Sequence, residues 1–243
     1  MKLAHLIVAA SLFAICGCSE KKIRETLETV SQTMEKESSG PTTAEVVNGL
    51  KQALEVGIKN SADIASKLDG FYRNPQIAIP FPPDAQRVAG KLRQLGLGRE
   101  VDRFIETLNR GAENAASKSV PIFVGAIRGM SIEDAWDILN GGDFAATRFL
   151  QEKTSTQLRI AFEPVVADAL RQANATRYYA DIVGTYNKIP LVKKVDADLD
   201  SYATSETIDG LFYLVGQEEA KIRKDPLKRT TELLRKVFGE LDK

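Results

Sequence analysis

Histidine and cysteine are almost absent from this sequence. The single histidine is His5 and the two cysteines are Cys16 and Cys18, so all three lie in the first 18 residues. A chain segment without these side chains forms no Ser-His-Asp or Cys-His triad, no Cys/His zinc site and no disulfide. Any catalysis after Cys18 would have to rest on carboxylates, Lys, Tyr or Ser-Lys pairs. We therefore expect a protein that is not an enzyme and has no cofactor.

Net charge is missing as well, because 33 basic residues balance 33 acidic ones. A neutral chain gives no global argument for binding nucleic acid. Long hydrophobic runs are also scarce. The run from Leu3 to Ile15 is interrupted by His5 and Ser11, and it is shorter than the ~20 apolar residues that a spanning helix needs. Behind Lys2, this run is typical of a secretory signal peptide.

The end of this run, Ile15-Cys16-Gly17-Cys18, resembles a bacterial lipobox, in which the last cysteine is acylated and becomes the first residue. Several acyl chains on Cys18 would anchor the protein firmly in a membrane. Ser19 follows rather than Asp, which by the usual sorting rule implies the outer membrane, with the protein on its periplasmic side. The alternative is a soluble secreted protein in which both cysteines are ordinary signal residues.

This interpretation divides the chain into three parts. Residues 1–17 are the lipoprotein signal peptide, residues 18–43 the lipidated cysteine and a polar tether, and residues 44–243 a helical domain. Apolar residues recur at helical spacing through the third part, and strand-like alternation is rare. The predicted fold is all-α: one compact multi-helix domain of about eight to ten helices with extended, proline-rich connectors.

Helix starts can be assigned from capping residues. Thr42 with Glu45 and Ser131 with Asp134 have the spacing of a capping box. Asp143 is expected to cap the helix that begins at Phe144. A late apolar helix is expected to start at residue 204 or 205, and a last helix to run over residues 226–241. Pro164 either kinks a helix or starts a new one.

Proline interrupts the helical pattern in two connectors, residues 69–83 and 189–192. The first carries four prolines among alternating apolar residues, which favours extended geometry. We expect it to lie over the core as a structural strap. The alternative is a loop that grips a ligand.

Several short blocks in this order resemble the domain-of-unknown-function family 4197, found in Gram-negative bacteria. The blocks are Asn48-Gly49-Leu50, Asp69-Gly70-Phe71-Tyr72 with Asn74-Pro75, Asn140-Gly141-Gly142, Ala175-Thr176-Arg177-Tyr178-Tyr179 with Tyr186-Asn187, and Arg229-Thr230-Thr231. The resemblance covers residues 44–239 and implies one helical domain of the cell envelope. It implies no activity.

Aromatic residues give one candidate ligand site. Tyr178 or Tyr179 shares a helix face with Tyr186, and Arg177 precedes them. Phe71 and Tyr72 of the strap could complete a ligand-binding groove with these residues. The alternative is ordinary core packing, with the tyrosine hydroxyls bonded to connectors.

Acidic and glycine-rich stretches give weaker candidates. Asp196, Asp198 and Asp200 have the spacing that opens a calcium loop, but Ser201 replaces the turn glycine and Thr207 the final glutamate. Helix capping is therefore preferred to a metal site. Gly141-Gly142-Asp143 is interpreted as a helix end joined to a helix start rather than an anion site. The basic excess over residues 221–243 is typical of a solvated helix face, with lipid phosphate or peptidoglycan carboxylate as alternative partners.

Three functions remain open on the sequence. The first is a lipid-anchored helical module, facing the periplasm, that binds an apolar or anionic ligand or a protein partner of the envelope. The second is a hydrolase acting on envelope glycans through two carboxylates ~5–10 Å apart. The third is a structural spacer. No pair of acids is marked by the sequence, so the binding module is preferred.

Overall fold

The computed structural model describes residues 42–188 and 190–225, together with 235 and 239. Two units divide the chain between residues 40 and 41, and every described residue belongs to the second unit. The predicted signal peptide, Cys18, nearly all of the tether and most of the predicted last helix therefore lie outside the described residues.

The described residues form eight α-helices and no strand, which confirms the predicted all-α class. We number them in chain order: α1 Thr43–Ser66, α2 Gln86–Gln94, α3 Gly98–Ala116, α4 Ser119–Arg128, α5 Ile132–Asn140, α6 Ala145–Gln172, α7 Ala175–Tyr186 and α8 Leu199–Lys224. A single 3₁₀ turn, Pro83–Ala85, precedes α2.

Both predicted capping boxes are present. At the start of α1, Glu45 N donates to Thr42 Oγ1 at 3.3 Å and Thr42 N donates to Glu45 Oε2 at 2.8 Å. At the start of α5, Ser131 and Asp134 make the same reciprocal pair at 3.0 and 2.9 Å. Each pair satisfies backbone N–H groups that have no partner within the helix. The local sequence thus defines where these two helices begin.

The longest helix, α6, is the centre of the packing. It packs most extensively against α3 and α8, and α8 also packs against α1. Pro164 lies inside α6, which continues through it to Gln172. Proline removes the hydrogen bond to the carbonyl of residue 160. Both residues face solvent, so water can bind that carbonyl and the helix is not broken.

Two predicted helix starts are wrong. Asp143 does not cap α6: the N-cap is Phe144, in the left-handed region at φ 67°, and no side chain bonds there. Asp143 instead pairs with Lys224 at 2.9 Å, and this hydrogen bond lowers the pKa of its carboxyl group. The late apolar helix begins at Leu199, because Asp198 accepts from Ser201 N at 3.0 Å and starts the helix earlier than the apolar pattern indicated.

Between α1 and the 3₁₀ turn, residues 69–82 lie over the helices; we call this segment the strap. Phe71, Ile77, Ile79 and Phe81 of the strap are all buried. The strap contacts α8 at Gly210, where an added Cβ would lie 2.8 Å from the Phe71 ring and 3.1 Å from Ile77 Cβ. The segment therefore belongs to the hydrophobic core.

Among the helices in the described part of the chain, none has the length and apolar character required to cross a lipid bilayer.

Candidate functional site

An apolar cavity of about 400 Å³ opens between α2, α3 and α7; we call it the groove. Leu92 and Leu97 line it where α2 turns into α3, and Val101 and Phe104 line it from α3. The opposite wall is formed by Tyr178, Tyr179 and Ile182 of α7, with Ala173 at the junction of α6 and α7. Its volume is in the range of small-molecule sites, which are mostly apolar clefts.

Three aromatic rings form the inner wall of the groove. The ring centroids of Phe81 and Phe104 are 4.8 Å apart, and those of Phe104 and Tyr179 are 5.8 Å apart in a stacked arrangement. Tyr179 is only 3% exposed, and burial raises the pKa of its hydroxyl to about 12. Rings packed this closely hold one another in place, so this wall is rigid and preformed.

The rim of the groove exposes apolar side chains to solvent. Leu97 is 40% exposed and Tyr178 is 62% exposed. Leu95, two residues before Leu97, is 76% exposed. Single exposed apolar residues are common on protein surfaces, whereas a group of them around an apolar cavity is a feature that binding sites share.

Polar residues form one edge of the groove. Glu100, Arg103 and Thr107 all line it, and they follow one another at helical spacing along α3. Residues three and four apart lie on the same face of a helix. A ligand in the groove would therefore have apolar contacts on one side and a polar edge on the other.

The strap places Phe81 in the groove, and Asn109 of α3 holds the strap. Asn109 is fully buried, accepts from Ile79 N at 2.8 Å and donates to Ile79 O at 2.9 Å. A side-chain amide thus satisfies both backbone groups of a buried extended residue. The position of Phe81, two residues further on, depends on this contact.

A second contact holds the beginning of the strap. Glu113 Oε1 accepts from Phe71 N and Tyr72 N at 3.1 and 3.2 Å, and its other oxygen pairs with Arg110 at 2.8 Å. Arg110 also pairs with Asp69 at 2.8 Å. Hydrogen bonds to these carboxylates raise the pKa of the Arg110 guanidinium. Asn109 and Glu113 are polar residues on the otherwise apolar, buried face of α3, and this interruption of the apolar pattern is the sequence signal for their role.

A separate, more polar cavity of about 300 Å³ lies against the other side of Tyr179. Pro82, Pro83 and Asp84 line it from the strap and the 3₁₀ turn. Tyr202 and Ser205 line it from α8, and Asp196 and Asp198 line it from the segment before α8. We call it the polar cavity. Tyr179 belongs to the lining of both spaces.

The predicted aromatic candidates are divided between different places. Tyr178 and Tyr179 line the groove. Tyr72 lies under Arg110, with the guanidinium 5.3 Å from the ring centre, and Phe71 is fully buried in the core beside Gly210. Arg177 is exposed, and Tyr186 is half-buried against the core. The structure thus brings two of the six candidates to the groove lining.

The acidic candidates have local partners. Asp198 caps α8, Asp196 accepts from Asp198 N at 3.0 Å, and Asp200 accepts from Thr176 Oγ1 at 3.0 Å. Across the described residues, no group of three or more His, Cys, Asp or Glu side chains has the arrangement of a metal site. Gly141 follows the last residue of α5 as its C-cap.

Comparison with known proteins identifies one family. A family model described as "Protein of unknown function (DUF4197)" matches residues 40–239. No curated protein and no solved structure matches the chain.

Proposed function

The chain belongs to the DUF4197 family, and from that premise we propose that it is a non-catalytic binding module whose groove holds the apolar part of a small ligand. The observation that carries the proposal is the preformed groove of about 400 Å³ with an aromatic wall and an exposed apolar rim. Leaving such a surface in water is unfavourable by roughly 25 cal/mol per Å² of apolar area. A bound apolar chain would remove that cost.

In this proposal, Cys18 determines where the protein is located, because it attaches the chain to a membrane. Acylation of Cys18 would fix the domain to the outer membrane on its periplasmic side, next to the acyl chains of the bilayer. Replacing Cys18 by Ser is expected to move the protein from the membrane fraction to the soluble fraction and to abolish labelling by radioactive palmitate. A Cys16→Ser variant is the matched control and should remain membrane-bound. If both variants were released from the membrane fraction to the same extent, or if neither were released, the assignment of Cys18 as the acylated anchor would be contradicted.

The groove is tested by filling it. Ala173 lines the groove and is exposed, so Ala173→Phe places a large side chain there without disturbing a buried contact. The matched control is Ala180→Phe, an exposed alanine of α7 outside the groove lining. We expect the neutral apolar dye N-phenylnaphthylamine to bind the full chain. Ala173→Phe should weaken this binding at least tenfold, and Ala180→Phe should leave it unchanged.

A second pair of variants tests the groove with a charge. Leu97→Glu introduces a carboxylate into the apolar lining, while Ile132→Glu introduces the same group at an exposed aliphatic residue on α5, away from the groove. Burial of an unpaired charge is unfavourable, so dye binding should be lost in the first variant and kept in the second. If both pairs of variants bind the dye like the parent chain, the groove is not the binding site.

A further inference from the structure

The turn between α2 and α3 is held in place by its own backbone. Gly96 N donates to Arg93 O at 3.1 Å and Leu97 N donates to Leu92 O at 3.0 Å, which are the two hydrogen bonds of a Schellman motif. Gly96 has φ 84° and supplies the left-handed residue that this motif requires. Leu92 and Leu97 both line the groove, whereas Leu95 between them is 76% exposed. The turn thus presents Leu95 to solvent in one fixed position.

Leu95 belongs to a small apolar patch at the mouth of the groove, together with Leu97 and, on the opposite wall, Tyr178; we call these three residues the docking patch. Three partly exposed side chains offer on the order of 300 Å² of apolar surface, which is well below the about 800 Å² that each partner buries in a stable protein interface. Binding to a bilayer needs no such minimum area, since its strength grows with the apolar surface that enters the acyl boundary and with the attraction of anionic lipids. Tyrosine is also enriched at this level of a membrane. The size of the patch therefore favours a bilayer over a protein partner.

The helix behind the docking patch is basic. Residues 85–99 contain no acidic residue and four basic ones, Arg87, Lys91, Arg93 and Arg99. Arg93 pairs with Asp102 at 2.6 Å. The other three are exposed and make no ion pair within the described part of the chain. This surface therefore complements the negative charge of lipid phosphates.

The basic residues lie at the height above the patch where phosphates would be. Arg87, Lys91 and Leu95 are four residues apart and share one face of α2, and Leu95 N still donates to Lys91 O at 3.1 Å. At 1.5 Å per residue, Lys91 lies ~6 Å and Arg87 ~12 Å behind Leu95 along the helix. Apolar faces enter the interface by ~5–10 Å, so Leu95 can reach the acyl boundary while Lys91 lies among the phosphates. Glu100 and Arg103 at the groove edge have opposite charges and leave this balance unchanged.

We propose that the docking patch, with Arg87, Lys91 and Arg99 behind it, is a surface that docks on a bilayer containing anionic lipids. Docking turns the mouth of the groove towards the bilayer, so an apolar ligand can pass between membrane and groove without crossing water. The inference rests on the proposed function for one point only, the Cys18 anchor that holds the chain at a membrane.

Tryptophan fluorescence tests which surface meets the membrane. The full chain is bound through its own anchor to vesicles of phosphatidylcholine with phosphatidylglycerol as the minor component, and the acyl chains carry bromine, which quenches indole at close range. Leu95→Trp adds an indole at the docking patch, and Ile160→Trp adds one at an exposed residue of α6. The parent chain, with Trp136 as its only tryptophan, gives the background. Bromine should quench the indole added by Leu95→Trp and spare the one added by Ile160→Trp. Equal quenching of both, or of neither, would overturn the inference.

Charge variants test the preference for anionic lipid. Each basic residue near an anionic bilayer contributes about fivefold to binding, so Arg87→Gln combined with Lys91→Gln should lower the ratio of docked to undocked chains about twentyfold, as read from quenching in the Leu95→Trp background. Lys59→Gln combined with Lys67→Gln is the matched control, because it removes the same charge from exposed positions of α1 and its flank; it should change the ratio little. Equal effects of the two double variants would overturn the inference. Equal docking on phosphatidylcholine alone would also overturn it and would point to an acidic protein as the partner of the basic residues.

Dye binding separates this inference from the proposed function. Arg87 and Lys91 do not line the groove, so their double variant should bind N-phenylnaphthylamine like the parent chain while it loses docking. A chain that binds the dye but shows no quenching in Leu95→Trp would overturn the docking surface alone. Vesicles that fail to retain the full chain would overturn the anchor and the docking surface together.

Discussion

Replacing Asn109 by Ala should detach the strap from α3. In the native protein, the Asn109 amide accepts from Ile79 N at 2.8 Å and donates to Ile79 O at 2.9 Å. Ile79 is only 1% exposed, so neither backbone group can turn to water without moving the strap. Alanine removes both partners and leaves the rest of α3 helical, because alanine favours helix over asparagine.

The expected loss of stability follows from these two groups. A buried polar group left without a partner costs about 1–3 kcal/mol, and the gain in helix propensity is below about 0.7 kcal/mol. The free energy of unfolding should therefore fall by about 2–5 kcal/mol. Domains have about 5–15 kcal/mol in total, so the variant should remain folded but weakened. Dye binding should weaken as well, because Phe81 is two residues from the lost contact.

Urea unfolding followed by far-ultraviolet circular dichroism measures the free energy of unfolding. Hydrogen exchange of the Ile79 amide measures whether the strap has detached from α3. Asn114→Ala is the matched control, since Asn114 is an exposed asparagine on the same helix. It should change the free energy of unfolding by less than about 0.5 kcal/mol. A similarly small change in Asn109→Ala, with the Ile79 amide still protected, would refute the role given to this side chain.

Three further predictions concern other parts of the structure. Glu219 is buried and accepts from Ala146 N and Thr147 N, so Glu219→Ala should lower the free energy of unfolding by about 3–5 kcal/mol in urea titrations; an unchanged midpoint would contradict this. Gly210→Ala should cost about 1–3 kcal/mol, since its Cβ would meet the Phe71 ring, and thermal melting unaffected by this change would argue against close packing there. Burial raises the pKa of Tyr179 from its usual value near 10 to about 12, so its stabilising effect should be complete below pH ~10 and lost as the pH rises through 12. Burial raises the pKa of Tyr202 as well, so ultraviolet titration of Tyr179→Phe should show one late-ionising tyrosine fewer than the parent chain, with Tyr202 still ionising late; an unchanged titration curve would contradict the assignment.

Periodicity was enough to predict the helices because each helix buries one face. Helical spacing predicts one inward face of α3, and four of its six residues are buried while Phe104 and Ile105 are partly buried against the core: Val101, Phe104, Ile105, Leu108, Ala112 and Ala115. Capping boxes at Thr42 and Ser131 also follow from sequence, since their partners are three residues away. The buried face of a helix and its capping box both depend on residues a few positions apart, so both can be predicted from the sequence.

The groove was harder to predict because its walls come from distant parts of the chain. Phe81, Phe104 and Tyr179 meet only after the strap has folded across α3. The pairing of Phe71 with Tyr178 was plausible by residue type, yet Gly210 gives Phe71 a place in the core where no larger residue fits. Asp143 looked like a cap from its position alone, but its salt bridge to Lys224 spans 81 residues. Long-range partners of this kind leave no periodic signal.

The central claim, an apolar ligand in the groove, is tested most directly by nuclear magnetic resonance with a spin-labelled octyl probe. The probe broadens the signals of amides close to the place where it binds. The account predicts broadening first at Phe104, Tyr178 and Ile182, with Ile160 and Tyr213 on other exposed surfaces unaffected. Broadening that begins at Ile160 or Tyr213, or that spreads evenly over the exposed apolar residues, would contradict it.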